Sequence, residues 1–149
     1  MRRDTMSKAV LDPARATSSH TFRVRFCETD LMGIVHHANY LVYFEAGRVE
    51  WLRRRGIAYA QWAASGVHTA VVEATTRYRL AARFDDELTC ETTLSELGSV
   101  SLVYSYRLLR GGALIATGHT KLACVDDAQK LTKVTPEMRA VMLAGELPA

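Results

Sequence analysis

Between Thr29 and Arg48 the chain reads TDLMGIVHHANYLVYFEAGR, which sets one carboxylate (Asp30), two imidazoles (His36 and His37) and Gly33 just ahead of an amphipathic run. A helix starting near Asn39 leaves its first backbone N–H groups unpaired and pointing back toward that loop, where partial positive charge can hold a developing anion. Asp30 then stands at the edge of the field. The helix terminus favours its ionised form and burial opposes it, so spacing alone does not give the sign of its pKa shift.

The neighbours of this carboxylate read as support. Gly33 permits a tight loop that brings backbone close to a ligand, and Asn39 is suited to cap the helix N-terminus. Tyr40 and Tyr43 are expected as core residues or pocket walls. Glu45 stands three residues before Arg48, the spacing of a helix-surface ion pair. Cys27 is expected to be a small buried residue.

Long elements are needed to hold such a loop. Tyr40, Phe44, Gly47 and Trp51 recur at helical spacing and share one face, so the pattern predicts a helix from about Asn39 to Arg55, ended by Gly56. Five segments alternate with period two. The first contains Phe22, Val24 and Phe26, and the second runs from Ala70 to Leu80. The third lies around Leu88 to Ser95 before a Gly98 turn, the fourth runs from Val100 to Leu108, and the fifth from Leu114 to Val125. Gly111-Gly112 between the last two is a hairpin signal. Alternation of this kind suits an antiparallel sheet with one face covering a core. At about 1.5 Å per residue the helix is about 25 Å long, and strands of about twelve residues reach about 40 Å, long enough to wrap it. Short helices are expected around Ala58 to Ala64 and after Pro136.

Composition bounds the function classes. The 149 residues suit one domain with its own core, and 48% hydrophobic with 23% charged residues is an ordinary globular balance. The expected layout is a flexible extension over residues 1–19 and a single domain over 20–149. No apolar run approaches the about 18 residues of a spanning helix, and the basic N-terminus lacks the apolar stretch of a secretory signal, so the cytoplasm is the expected compartment. Three scattered cysteines, Cys27, Cys90 and Cys124, read as reduced thiols. With no CxxC or HExxH pattern, no metal site is expected. A net charge of +3 spread along the chain does not indicate nucleic-acid binding.

The order Thr29-Asp30, Gly33, Val35, His37, Asn39-Tyr40, Glu45 and Arg48 resembles the signature of hotdog-fold acyl-CoA thioesterases of the 4-hydroxybenzoyl-CoA thioesterase type, including the Tol-Pal-associated bacterial branch. The match is strongest over Arg23 to Gly56. It implies an α+β hotdog fold, a curved antiparallel sheet around one central helix. It also implies hydrolysis of a thioester to a carboxylic acid and free coenzyme A without an added cofactor. Asp30 would act as nucleophile or general base, and backbone N–H near His37 would form the oxyanion hole, with the His37 side chain orienting the acyl carbonyl or aiding the leaving thiolate. Gly33, His36, Asn39 and Tyr40 would contact substrate; His36 departs from the aromatic residue common at that place. The resemblance further implies a homodimer or homotetramer with sheets joined edge to edge. A hotdog enoyl-CoA hydratase or dehydratase, and a non-catalytic acyl-CoA-binding module, stand as alternatives.

Overall fold

The computed structural model describes residues 11–148. The element order is α1 (Pro13–Ala16), β1 (Thr17–Arg23), α2 (Asn39–Arg53), α3 (Tyr59–Ala64), β2 (His68–Tyr78), β3 (Glu87–Leu97), β4 (Ser101–Arg110), β5 (Ala113–Val125) and α4 (Pro136–Leu143), with a 3₁₀ turn at Phe26–Glu28. The five strands form one antiparallel sheet in the order β1-β3-β4-β5-β2. This is the expected α+β, hotdog-type architecture of five strands and one long helix. Among the described residues no helix is long and apolar enough to cross a membrane.

Period two explains the central strands. Leu88, Cys90, Thr92 and Leu94 of β3 and Leu102, Tyr104, Tyr106 and Leu108 of β4 are the buried positions, and the residues between them lie nearer solvent. Irregularities at Val71/Glu73, Leu94/Glu96 and Leu108/Leu109 interrupt the ladders, and such bulges bend and twist strands. The β4–β5 connection pairs Arg110 with Ala113, so Gly111-Gly112 form a two-residue turn with Gly111 at φ +58°.

The helix α2 lies on the covered face with Tyr40, Tyr43, Phe44, Gly47, Trp51 and Leu52 buried. The Phe44 ring stacks on Tyr106 at 4.4 Å, and Trp51 meets Tyr104 edge-on at 5.2 Å. Two glycines allow this approach. A Cβ on Gly47 would stand 2.6 Å from Thr92 Oγ1, and one on Gly118 would stand 2.5 Å from the Phe44 ring. The helix ends as its sequence predicts: Gly56 is left-handed at φ +81°, its N–H bonds to Arg53 O, and Ile57 N bonds back to Leu52 O.

Several expectations are corrected. Residues 1–10 lie outside the described residues, but the segment expected to continue as an extension to residue 19 already holds α1 and the start of β1. Its anchor is the end of α2. Trp51 Nε1 donates to Ala16 O at 2.9 Å, while the buried Arg55 guanidinium lies 3.6 Å over the Trp51 ring and bonds Ser18 Oγ and Arg15 O. The first strand ends at Arg23, because the chain then turns through Phe26–Glu28 and leaves Phe26 76% exposed. The β2 alternation does not correspond to a covered face in this chain: β2 is an edge strand whose residues are exposed or half-buried throughout.

Candidate active site

The loop that carries Asp30 is closed by its own backbone. Asp30 N donates to Ile34 O at 3.0 Å, Gly33 N donates to Asp30 O at 2.9 Å, and Thr29 bridges Val35. Gly33 sits at φ +74°, the left-handed conformation that this tight return requires. Asp30 itself is half-buried; Oδ1 accepts from Met32 N at 2.9 Å, and the carboxylate has no ion-pair partner among the described residues. It is therefore oriented by the turn without being neutralised.

The turn from loop to helix is fixed by Glu28, a residue that no motif or spacing marks. Glu28 is buried, and its backbone O accepts from His36 N at 2.9 Å and from Asn39 Nδ2 at 2.8 Å. Its carboxylate accepts from Arg25 N at 2.7 Å and from the Tyr43 hydroxyl at 3.1 Å, with the Arg25 guanidinium at 3.3 Å. A buried charge is tolerated here because it is both paired and hydrogen-bonded. Burial, reinforced by the adjacent Glu28 charge, pushes the Tyr43 phenol well upward, so that it stays a donor.

Asn39 is consequently not the N-cap. The cap is Ala38, which has no capping side chain, and Asn39 is the first helical residue, its amide spent on Glu28 O. At this uncapped start Ala38 N donates to His36 Nδ1 at 3.3 Å and Asn39 N to His36 O at 2.9 Å. Between the committed amides of His36 and Ala38, the His37 N–H has no acceptor among the described residues. The His37 carbonyl accepts from the Tyr78 hydroxyl at 3.0 Å, which ties the helix start to the end of β2.

Asp30, His37 and Tyr40 line one cavity of about 260 Å³, together with Met32, Ile34, Val35, Tyr78 at the end of β2, and Arg79, Leu80 and Ala81 just after it. Of the residues singled out from sequence, these three are brought together. His36 is exposed beside it, its ring 4.2 Å from that of His37, while Gly33 and Asn39 shape the loop and do not line the cavity. Tyr40 is buried, and desolvation raises its phenol pKa against an opposing hydrogen bond with Ala82, so it remains protonated at neutral pH. Tyr78 and Arg79 lie about forty residues from His37 in sequence, and no local spacing marks them.

Two smaller expectations fail. Glu45 forms no ion pair with Arg48; Arg48 turns inward and donates to the Tyr106 hydroxyl at 3.1 Å, a buried acceptor that the helix face places within reach. Cys27 is exposed because the 3₁₀ turn projects it outward, whereas Cys90 and Cys124 are buried. Among the described residues, no group of three His, Cys, Asp or Glu side chains is arranged to hold a metal ion.

Comparison with known proteins gives consistent matches. The sequence model of the Thioesterase-like superfamily matches residues 24–144. A putative esterase of Aquifex aeolicus is 32% identical over 120 residues, covering 80% of this chain and 93% of the relative. The acyl-CoA thioesterase YbgC of Haemophilus influenzae is 34% identical over 113 residues, 72% of this chain and 80% of the relative. Among solved structures, a hypothetical protein of Thermus thermophilus superposes with a TM-score of 0.81 at 38% identity, covering 84% of this chain and 96% of the other. The DHNA-CoA thioesterase of Staphylococcus aureus also has a TM-score of 0.81, at 25% identity and with 84% and 87% covered.

Proposed function

The chain belongs to the Thioesterase-like superfamily, and from that premise we propose that it is an acyl-CoA thioesterase, a thioester hydrolase releasing a carboxylic acid and free coenzyme A. The observation that carries this reading is one cavity flanked by a carboxylate, Asp30, with no ion-pair partner, and a backbone N–H, that of His37, with no acceptor, among the described residues. Hydrolysis of a thioester needs those two things on opposite sides of the carbonyl: electron density for its carbon and a donor for its oxygen.

In the proposed sequence the thioester carbonyl lies between Asp30 and the start of α2. Asp30 either attacks the carbon, giving a mixed anhydride that water then cleaves, or removes a proton from a water that attacks directly. The carbonyl oxygen becomes an oxyanion and takes a hydrogen bond from His37 N–H, strengthened by the helix dipole. Collapse expels the coenzyme A thiolate. Losing such a donor typically costs about 2.7–4 kcal/mol of transition-state stabilisation. Because the donor is backbone, the His37 side chain is assigned the lesser tasks of orienting the acyl group or protonating the departing sulfur. Tyr40, with Met32 and Ile34, forms the wall against which the acyl group rests, and Gly33, His36 and Asn39 support the loop. No added cofactor is needed; coenzyme A enters as part of the substrate.

The assembly proposed is a homodimer, or a tetramer built from it, joined through β2. That strand is eleven residues long, lies at the sheet edge and exposes Val71, Val72 and Tyr78. An open edge of this kind invites antiparallel pairing with a second copy. The proposed compartment is the cytoplasm, which suits the three free cysteines.

Thiol release from a panel of aliphatic and aromatic acyl-CoA esters tests the reading, with wild type compared with Asp30→Asn. Turnover should fall by about 10²–10⁴-fold in a folded Asp30→Asn protein that still binds substrate. Absence of thiol release from every ester by wild type, with enoyl-CoA hydration observed in its place, overturns it.

A further inference from the structure

Farther along α2 from Asp30, a second cavity of about 270 Å³ opens between that helix, α3 and strands β4 and β5. None of its lining residues is shared with the Asp30 cavity. The apolar part of its wall is made by Val49, Leu52, Leu102, Leu122 and Trp62. Into this space the fold directs several hydrogen-bond donors.

Tyr104 lines the cavity, and no hydrogen bond of its hydroxyl is found among the described residues. A hydroxyl that meets the cavity with its proton uncommitted can donate to a ligand placed there, and such a bond adds to binding. Burial raises the Tyr104 pKa far above the working range, so it is a donor at any physiological pH. Arg48 also lines the cavity. One of its N–H groups is spent on Tyr106, whose hydroxyl lies 2.6 Å from Thr120 Oγ1; this fixes the guanidinium and leaves its other donors uncommitted among the described residues. Tyr59 accepts from Thr69 N at 3.2 Å, which leaves its own proton available. Against these donors stands one acidic group, Glu45, at the exposed rim.

A set of converging donors around an apolar body, with a fixed guanidinium among them, is complementary to a carboxylate on a compact apolar molecule. We propose that this cavity is a second small-molecule site that binds a monocarboxylic acid, its carboxylate held by Tyr104 and Arg48 and its body packed against Leu52, Leu102 and Trp62. The site does not rest on the hydrolytic reading, since none of its residues takes part in that chemistry. Glu45 sets a limit on affinity by facing an anion with like charge.

The probe is benzoate, with benzamide as the neutral molecule of the same shape, titrated into the full chain by calorimetry and by tryptophan fluorescence. Trp62 lines the cavity and Trp51 lies against Tyr104, so both report on occupancy. Benzoate should saturate one site per chain and bind about tenfold more tightly than benzamide, and Tyr104→Phe should weaken it by about tenfold. Glu45→Gln should tighten it about threefold by removing a rim charge, and Asp30→Asn should leave it unchanged. No saturable benzoate binding, or equal binding of benzamide, overturns the proposal. So does loss of benzoate binding in Asp30→Asn with retention in Tyr104→Phe, which assigns the acid to the other cavity. Should Tyr104→Phe fail to fold by thermal denaturation, Glu45→Gln decides: unchanged or weaker benzoate binding overturns the proposal.

Discussion

At the scale of single residues, the candidate site separates what a side chain does from what the backbone does. The donor proposed for the oxyanion is the His37 N–H, so His37→Ala should retain most turnover. Its loss should fall well short of the about 10²–10⁴-fold expected when a general acid or base is removed. Steady-state thiol release by the two variants side by side checks the contrast; a His37→Ala defect as deep as that of Asp30→Asn would move the chemistry onto the imidazole. Asp30, His37 and Tyr40 were legible in the sequence because they fall within eleven consecutive residues, where loop and helix start fix their neighbourhood. Tyr78 and Arg79 were not legible, because only the fold carries the end of β2 to the helix start. Glu28 was hidden for another reason. Nothing in its neighbours distinguishes a buried carboxylate satisfied by Arg25 and Tyr43 from an exposed one.

At the scale of elements, period and spacing predicted the long helix, the four later strands, the Gly111-Gly112 turn and the Gly56 cap with small errors at their ends. They did not show which glycines bring helix and sheet together, since a close approach leaves no period. Gly118→Ala places a Cβ 2.5 Å from the Phe44 ring and 2.6 Å from Thr75 O. Overpacking at such a site should destabilise by about 1–3 kcal/mol, read as a lower melting temperature with turnover per folded molecule preserved. The connection from β2 to β3 carries a pH-dependent contribution. Asp86 accepts from Arg83 N and Arg110 Nη1, both at 2.9 Å, and these hold its carboxyl below the usual range against the opposing effect of burial. A carboxyl depressed in the folded state adds stability above its unfolded pKa and loses it as pH falls through the folded one. Asp86→Asn should therefore cost on the order of 1 kcal/mol at neutral pH and nothing in strong acid, so denaturation midpoints of the two proteins should converge as pH is lowered.

At the scale of the whole molecule, α1 and the start of β1 are built from a segment that its basic, serine-containing composition did not mark as part of the domain. It is held from a distance by Arg55 and Trp51, a dependence that no local pattern carries. The alternation of β2 was read correctly as a pattern and incorrectly as a face covered by this chain. Periodicity reports that a surface suits burial without saying whose atoms bury it. Val72 is 59% exposed on that strand. A lysine there should disfavour self-association across a two-fold, since like charges meet across the paired strands, and light scattering or sedimentation should report a smaller particle for Val72→Lys than for wild type. The same strand ends in Tyr78, which lines the Asp30 cavity and hydrogen-bonds the carbonyl of His37. The proposed self-association and turnover would thus draw on one stretch of backbone, and mass action would link them. Turnover per active centre should rise with enzyme concentration toward a plateau, and kinetics recorded at high dilution would understate what the protein does at the crowding of a cell.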